Sequence, residues 1–245
     1  MEKILFDLDD TLAHCNKYFD IVLDQFADEL LTWFAAYPIT EDDVKRKQLE
    51  IDIRGVEIHG FSTDHFPQSL VDTYKHYASL TGRPESKHEA ELLRKLGSSV
   101  YDQEVEPYPN MRGTLDALKA DGHELHLYTG GVAKMQMKKV EKLELHHYFE
   151  DRIYIRQHKT TSALEDILHQ GHFDRNHTWM IGNSLRTDIT PALETGIHCI
   201  YIPAKTEWQF NMVHVNAKPK GAFLTLHSLV EVPQAIASYL STKSS

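Results

Sequence analysis

The feature that most constrains this chain is a short apolar run near its start, Ile4-Leu5-Phe6, which leads directly into Asp7-Leu8-Asp9-Asp10-Thr11. Acidic side chains held together at the end of a buried strand cost free energy unless a positive charge neutralises them. Alternation along a strand places Asp7 and Asp9 on the same side, where one divalent cation and one substrate can meet both. The alternative is a strand that ends in an acidic, solvated turn, and the residues downstream decide between the two interpretations.

Composition narrows the class of protein. The chain has 245 residues, 41% hydrophobic and 25% charged, which is typical of a globular protein with one core or one core and an inserted subdomain. Its formal net charge of −10 argues against nucleic acid as a partner, but permits a small anionic substrate where local cations dominate. Two distant cysteines, Cys15 and Cys199, and the lack of a leader or a membrane-length apolar run predict a cytoplasmic protein that spans no membrane.

Residues 16–103 show helical periodicity and no convincing strand. Apolar residues recur at helical spacing from Phe19 to Phe34, and Thr40 with Asp43 has the pattern of a capping box. Helices are predicted over 16–37, from 40 onward, over 64–80 and from 86 onward. We therefore expect 16–103 to form a helical cap subdomain. Within it, 52–55 and 59–60 are predicted to form a loop that faces the active site, with Gly55 or Gly60 as a hinge.

The remainder of the chain, 1–15 and 104–245, alternates between strand and helix patterns. After the first strand, further strands are predicted at 123–128, 152–155, 179–181, 198–202 and 222–226, with helical segments between them. Repeated strand–helix units imply an α/β fold with three layers, in which a Rossmann-like, mostly parallel sheet has helices on both faces. Because parallel strands end at one edge of the sheet, polar residues that follow these strands should meet there.

Three of these strand ends carry polar residues or glycine. Thr129-Gly130-Gly131 follows the second strand and suits close approach of an anion, or else is a simple glycine-rich turn. Lys159 lies just before a predicted helix, where positive potential concentrates, although a lone lysine is more often a surface residue. Asn183 and Asp188 follow the strand at 179–181 and supply oxygen atoms of the kind that bind a hard cation. Helix capping by Asn183 is compatible with that role.

With these residues in this order, the chain resembles the haloacid dehalogenase (HAD) superfamily. The resemblance rests on the DxDxT pattern of Asp7, Asp9 and Thr11, the strand-end Thr129, the helix-leading Lys159 and the GNSxxxD pattern that ends at Asp188. It spans about residues 4–203, and the helical insertion is similar to the cap of phosphatase-type members. The resemblance implies a Mg²⁺-dependent phosphatase that acts on a small phosphorylated metabolite.

The resemblance also implies a role for each matching residue. Asp7 would attack phosphorus and form an aspartyl-phosphate, while Asp9 would protonate the leaving alcohol and then activate water. Lys159, Thr129 and the N–H of Gly130 would bind the phosphoryl oxygens. The expected Mg²⁺ ligands are oxygen atoms of Asp7, Asp9 (through its backbone carbonyl), Asn183 and Asp188.

Asn183 is a departure from the family pattern, because many relatives have Asp at this position. An amide oxygen can still bind Mg²⁺ but adds no charge, so we expect weaker metal affinity without loss of catalysis. Contacts to the leaving group are harder to assign. The candidates are Asn16, Lys17, Arg54 and His14, and each of them can equally be a solvated surface residue.

Other activities of the same superfamily compete with the phosphatase interpretation. A dehalogenase is disfavoured, since it needs no metal and no acid at Asp9. A phosphonate hydrolase needs a Schiff-base lysine, for which Lys17 is a weak candidate. A sugar phosphomutase uses the same aspartates and differs in the group that accepts the phosphoryl. A catalytically retired relative that acts as a binding or regulatory protein is the alternative outside catalysis.

Overall fold

The structure is a computed structural model that describes residues 1–243, so residues 244 and 245 of the predicted core lie outside the described part. The chain divides into two compact units. One unit is Lys17–Glu104, called the helical unit below. The other, the α/β unit, consists of Met1–Asn16 and the chain from Val105 onward.

The α/β unit is built on a six-stranded sheet in which every neighbouring pair of described strands is parallel. The strands are β1 Lys3–Phe6, β2 Glu124–Gly130, β3 Ile153–Arg156, β4 Thr178–Gly182, β5 His198–Tyr201 and β6 Phe223–Thr225. Their spatial order is β3-β2-β1-β4-β5-β6. Strands β2 and β3 are therefore added on one side of β1, and strands β4, β5 and β6 are added on its other side. This reversal is the switch point at which open α/β sheets bind ligands.

Helices cover both faces of this sheet, as the alternation of buried side chains requires. In β1, Ile4 and Phe6 contribute to one apolar cluster, and Leu5 contributes to the cluster on the opposite face. The helices of the unit are α5 Met111–Ala120, α6 Ala133–Lys142, α7 His146–Phe149, α8 Thr161–Gln170, α9 Thr190–Thr195 and α10 Val232–Lys243. α8 and α9 pack on the Leu5 face, while α5, α7 and α10 pack on the other. The predicted three-layer α/β class is confirmed.

The helical unit contains four long helices and no strand among its described residues. They are α1 Asn16–Trp33, whose first residue belongs to the α/β unit, α2 Glu41–His59, α3 His65–Thr81 and α4 Lys87–Ser98, followed by a 3₁₀ turn at Ser99–Asp102. The core of the unit is rich in aromatic residues, with Tyr74 at its centre. Thr40 and Asp43 form the predicted capping box, in which the Asp43 N–H donates to the Thr40 hydroxyl at 3.2 Å.

The predicted loop at 52–55 is wrong, because these residues lie within α2. Gly55 serves packing and not a hinge: a Cβ at this position would lie 1.6 Å from the His65 ring. Gly60, by contrast, follows the last residue of α2 and has a positive φ of 71°, which glycine adopts without strain. Across residues 1–243, the longest apolar helical stretches fall short of what a bilayer crossing requires.

Candidate active site

The carboxyl ends of adjacent parallel strands bring together the residues that the sequence pattern singled out. Asp7 directly follows β1, Thr129 is the next-to-last residue of β2, and Asn183 directly follows β4. Lys159 lies between β3 and α8. Asp7 and Asn183 follow the two strands that flank the switch point, and the Lys159 side chain reaches Asp7 there.

Lys159 is the centre of a buried ion-pair cluster. Its Nζ lies 2.7 Å from Oδ1 of Asp7 and also donates a hydrogen bond to Oδ1 of Asp188. The other carboxylate oxygen of Asp188 accepts from the backbone N–H of Ser184 at 2.9 Å. Lys159, Asp7 and Asp188 are all buried. Both oxygens of Asp188 are thus engaged by the protein, and this carboxylate holds Lys159 in front of Asp7.

The electrostatics of this cluster favour an additional positive group. Burial raises the pKa of Asp7 from 3.8 to about 7, while Lys159 acts in the opposite direction and Asp188 adds to the rise. Burial also works against the charge of Lys159, but Asp188 and Asp7 outweigh it and hold the pKa of Lys159 above its ordinary value. A single ammonium therefore faces two carboxylates, and a further cation beside Asp7 would favour the ionised form of that carboxylate.

Gly182 explains why Asp188 can approach the end of β4 so closely. A Cβ at residue 182 would lie 2.2 Å from Oδ2 of Asp188, a distance that no real side chain tolerates. Residues Leu185–Ile189 form a single wide π-type turn, which carries Asp188 back toward the strand end. The glycine of the GNSxxxD pattern thus has a packing role that follows from this geometry.

Thr11 links Asp7 to Asn183. Its hydroxyl oxygen lies 3.2 Å from Oδ2 of Asp7 and 3.3 Å from Oδ1 of Asn183. A hydroxyl has one hydrogen, so it can donate to only one of these two oxygens at a time. Nδ2 of Asn183 is buried and has no hydrogen-bond partner. With the amide turned over, Nδ2 would donate to Thr11, and Oδ1 would take the unpartnered position as a free acceptor.

This arrangement answers whether the predicted ligands suit a hard cation. Asp7 supplies a carboxylate oxygen and Asn183 an amide oxygen on either side of Thr11, and oxygen donors of this kind are those that Mg²⁺ prefers. Within residues 1–243, no three His, Cys, Asp or Glu side chains form a metal-binding group. A site here would therefore depend on Asn183 and a backbone carbonyl in addition to carboxylates.

Asp9 is held by two residues that the sequence reasoning missed, Lys139 and Gln136. Lys139 Nζ lies 2.5 Å from Oδ1 of Asp9, and Gln136 Nε2 lies 2.9 Å from Oδ2. Burial opposes the charge of Lys139, but Asp9 and neighbouring acidic groups outweigh it, so the pKa of Lys139 is raised. A signal was present in the sequence: two polar residues three positions apart share one face of the helix that follows Thr129.

Thr129 lies within β2 and not in a turn, which corrects the predicted end of this strand at residue 128. Thr129 and Gly130 pair with Ile155 and Arg156 of β3. The Thr129 hydroxyl is buried and accepts a hydrogen bond of 2.7 Å from Gln136 Nε2. The hydroxyl itself donates a long hydrogen bond of 3.4 Å to the backbone oxygen of Gly130.

Tyr128 is a further residue that the sequence reasoning did not identify. Lys159 Nζ lies 4.8 Å from the centre of its ring, a distance at which a cation and an aromatic face attract. Its hydroxyl is buried without a hydrogen-bond partner, and burial raises the pKa of Tyr128 to about 12. The ring therefore adds a third contact to the ammonium of Lys159.

The residues predicted to contact the leaving group have separate positions. Asn16 donates from Nδ2 to the backbone oxygen of Thr206 at 3.0 Å, and the His14 ring lies 4.2 Å from that of Tyr108, all within the α/β unit. In the helical unit, Arg54 lies in α2 and pairs with Glu50 at 3.1 Å. Lys17 Nζ lies over the ring of its neighbour Tyr18 at 4.9 Å. Contact of these four residues with a leaving group stays a prediction.

The sequence matches a known protein family and a curated phosphatase. A family model described as haloacid dehalogenase-like hydrolase matches residues 4–202. A glyceraldehyde 3-phosphate phosphatase from Methanothermobacter thermautotrophicus is 23% identical over 225 residues, which cover 88% of this chain and 92% of the relative.

Solved structures show the same fold. A haloacid dehalogenase-like family hydrolase from Xanthomonas campestris has a TM-score of 0.78 at 23% identity, and the alignment covers 98% of this chain and 91% of that one. A HAD-hydrolase from Bacillus subtilis, solved bound to magnesium, has a TM-score of 0.61 at 19% identity, with 96% and 98% coverage.

Proposed function

The chain belongs to the haloacid dehalogenase-like hydrolases, and from that premise we propose that it is a Mg²⁺-dependent phosphatase of small phosphomonoesters. The observation that carries the proposal is the Lys159 ammonium, buried between the carboxylates of Asp7 and Asp188 at the switch point of the sheet. The phosphatase named among its relatives, although only 23% identical, supports the same reaction class. The substrate is proposed to be a small phosphorylated metabolite, and the site of action the cytoplasm.

In the proposed reaction, Asp7 is the nucleophile. Its carboxylate attacks phosphorus, the bond to the leaving oxygen breaks, and an aspartyl-phosphate forms. Thr11 orients this carboxylate through Oδ2, which leaves Oδ1 against Lys159. Lys159 offsets the repulsion between two anions and stabilises negative charge on the phosphoryl oxygens. Asp188 and the Tyr128 ring keep the ammonium in place.

Asp9 handles the proton in both half-reactions. It protonates the leaving oxygen as the first bond breaks, and it then takes a proton from the water that hydrolyses the aspartyl-phosphate. Thr129 and the N–H of Gly130 would bind phosphoryl oxygens. The Thr129 hydroxyl accepts from Gln136 and donates only a long hydrogen bond of 3.4 Å to the Gly130 backbone oxygen, which a phosphoryl oxygen would replace.

Mg²⁺ would be held by Asp7, the backbone carbonyl of Asp9 and Asn183, with Asp188 as the fourth predicted ligand. When bound, the ion would neutralise charge on the phosphoryl group and favour the ionised form of Asp7. Each oxygen of Asp188 accepts one hydrogen bond and keeps a second lone pair, through which it would reach the ion directly or by way of a water molecule.

The central test is phosphate release by the full chain from p-nitrophenyl phosphate and a panel of phosphometabolites that includes glyceraldehyde 3-phosphate. Release should require Mg²⁺, stop on chelation, and fall by at least about a thousandfold in Asp7→Asn, since the nucleophile is lost. Asp166→Asn, an exposed aspartate on α8, is the matched control and should be unaffected. Inactivity of the wild-type chain across the panel, or undiminished activity of Asp7→Asn, would contradict the proposal and favour a binding protein.

Asn183→Asp tests the metal ligand directly. An added carboxylate should tighten Mg²⁺ binding several-fold, because a charged oxygen attracts a divalent cation more strongly than an amide oxygen does. Isothermal titration with Mg²⁺ in the absence of substrate measures this without relying on catalysis. Unchanged affinity would mean that Asn183 does not contact the ion.

A further inference from the structure

Asp9 has both carboxylate oxygens occupied by residues of a single helix. Lys139 donates to Oδ1 at 2.5 Å and Gln136 donates to Oδ2 at 2.9 Å, although both lie about 130 residues away in sequence. Each oxygen that accepts one such bond keeps a second lone pair. The carboxylate is therefore fixed in orientation while one position on each oxygen stays open to a substrate or to water.

Gln136 also links Asp9 to Thr129, because its amide nitrogen lies close to both side chains. Its amide nitrogen carries two hydrogens, and it lies 2.9 Å from Oδ2 of Asp9 and 2.7 Å from the Thr129 hydroxyl oxygen. The amide is buried, so these bonds are shielded from competing water. Gly131 makes room for it, because a Cβ there would lie 3.1 Å from the Gln136 side chain.

We propose that Lys139 and Gln136 are positioning residues that hold the Asp9 carboxylate in line for proton transfer, with Gln136 also fixing the Thr129 hydroxyl oxygen. The proposal rests on the phosphatase function proposed above. The positioning matters because a carboxylate that donates a proton and then accepts one must face the same reacting oxygen in both half-reactions. α6 presents the two side chains together because they are three positions apart on one helix face.

Leaving groups of different acidity separate positioning from a merely structural role. The probes are p-nitrophenyl, phenyl and benzyl phosphate, similar in shape but increasingly dependent on a proton for the leaving oxygen. The measured quantity is kcat/KM, which reports the step in which that oxygen departs. Asp9→Asn should therefore reduce kcat/KM far more for benzyl phosphate than for p-nitrophenyl phosphate. Lys139→Met should show the same trend, about tenfold or more on benzyl phosphate and under about threefold on p-nitrophenyl phosphate. Lys142→Met, exposed on the same helix, is the matched control and should match the wild type on all three esters.

A double variant gives a second, independent readout. In an Asp9→Asn background, Lys139→Met should cost less than about twofold, because residues that act through one group are not additive. Lys139→Arg should restore part of the benzyl phosphate activity, since it keeps a cation within reach of Asp9. Gln136→Met has a similar volume and should reproduce the leaving-group trend, so it carries the test if Lys139→Met does not fold.

Several outcomes would overturn the proposal. Equal losses on the three esters would show a general structural effect, and no loss at all would show that the contacts do not matter for catalysis. Full additivity with Asp9→Asn would show that Lys139 acts elsewhere. Failure of the phosphatase proposal itself is distinguishable, because the wild-type chain would then release no phosphate or Asp7→Asn would remain active.

Discussion

Each unit of this protein contains a lysine whose ammonium lies between two carboxylates, and the two lysines differ in burial. In the helical unit, Lys45 Nζ lies 2.6 Å from Asp24 and 2.5 Å from Glu41, with 34% of its side chain exposed. In the α/β unit, Lys159 bridges Asp7 and Asp188 with only 2% exposed. Water screens the first arrangement, whereas the second has been removed from water at a large desolvation cost. Under the function proposed above, the buried charges of the second arrangement would serve catalysis.

Unpartnered polar atoms show the same contrast. Among the residues that the structure describes, the five buried side-chain atoms without a hydrogen-bond partner all lie in the α/β unit, and two of them, on Tyr128 and Asn183, lie at or beside strand ends. In the helical unit, buried polar groups bond one another: Gln48 donates to Ser69 at 2.9 Å, and Ser69 donates to a backbone oxygen at 2.7 Å. Incomplete pairing is thus confined to the unit where a ligand is expected.

The largest expected effect comes from removing the buried lysine. Lys159→Met should lower the free energy of unfolding by about 3–5 kcal/mol at pH 7, because two buried carboxylates are left without their cation. Lys45→Met, the matched variant in the helical unit, should cost no more than about 1 kcal/mol. Urea unfolding of both variants measures this difference. Equal losses in the two variants would mean that burial does not separate the two clusters.

A pH-dependent effect of intermediate size is expected in the α/β unit at His126. Burial lowers the pKa of His126 from 6.5 to about 4, while Glu124 acts in the opposite direction. The folded chain therefore keeps this ring neutral while the unfolded chain protonates it, so stability is lost as pH falls from 6.5 toward 4, by at most about 3 kcal/mol. His126→Phe should lack this part of the loss. Urea unfolding between pH 7 and 4.5 tests it, and parallel curves for the two proteins would contradict it.

The helical unit should show the opposite slope through Asp52. Burial raises the pKa of Asp52 from 3.8 to about 6, while His65 and Ser69 act against the rise. Because the folded state binds this proton more tightly, Asp52 contributes to the free energy of unfolding. The contribution is complete below pH 3.8 and is lost as pH rises through 6. Asp52→Asn should therefore gain about 1–2 kcal/mol relative to wild type between pH 4 and 7. Asp42→Asn, exposed in the first turn of α2, is the control, and the same gain in that variant would remove Asp52 as the cause.

The α/β class and the strand-end positions of Asp7, Lys159 and Asn183 could be read from the sequence. Strand patterns are local, and parallel strands bring their carboxyl ends to one edge. Gln136 and Lys139 could not be assigned, because nothing in the pattern of α6 specifies which distant carboxylate its polar face meets. The predicted loop at 52–55 failed for a related reason: Gly55 reads as a chain breaker, whereas in the structure it accommodates the His65 ring.

The sequence by itself determined which chemical groups are available and that they lie at the ends of strands. It could do so because strand and helix patterns depend only on residues that are close together in the chain. Only the tertiary structure decided how those groups share partners. The ammonium of Lys159 donates to both Asp7 and Asp188, and Lys139 of α6 donates to Asp9. These contacts join residues up to 152 positions apart, so they depend on strand order and helix docking, which no local pattern encodes.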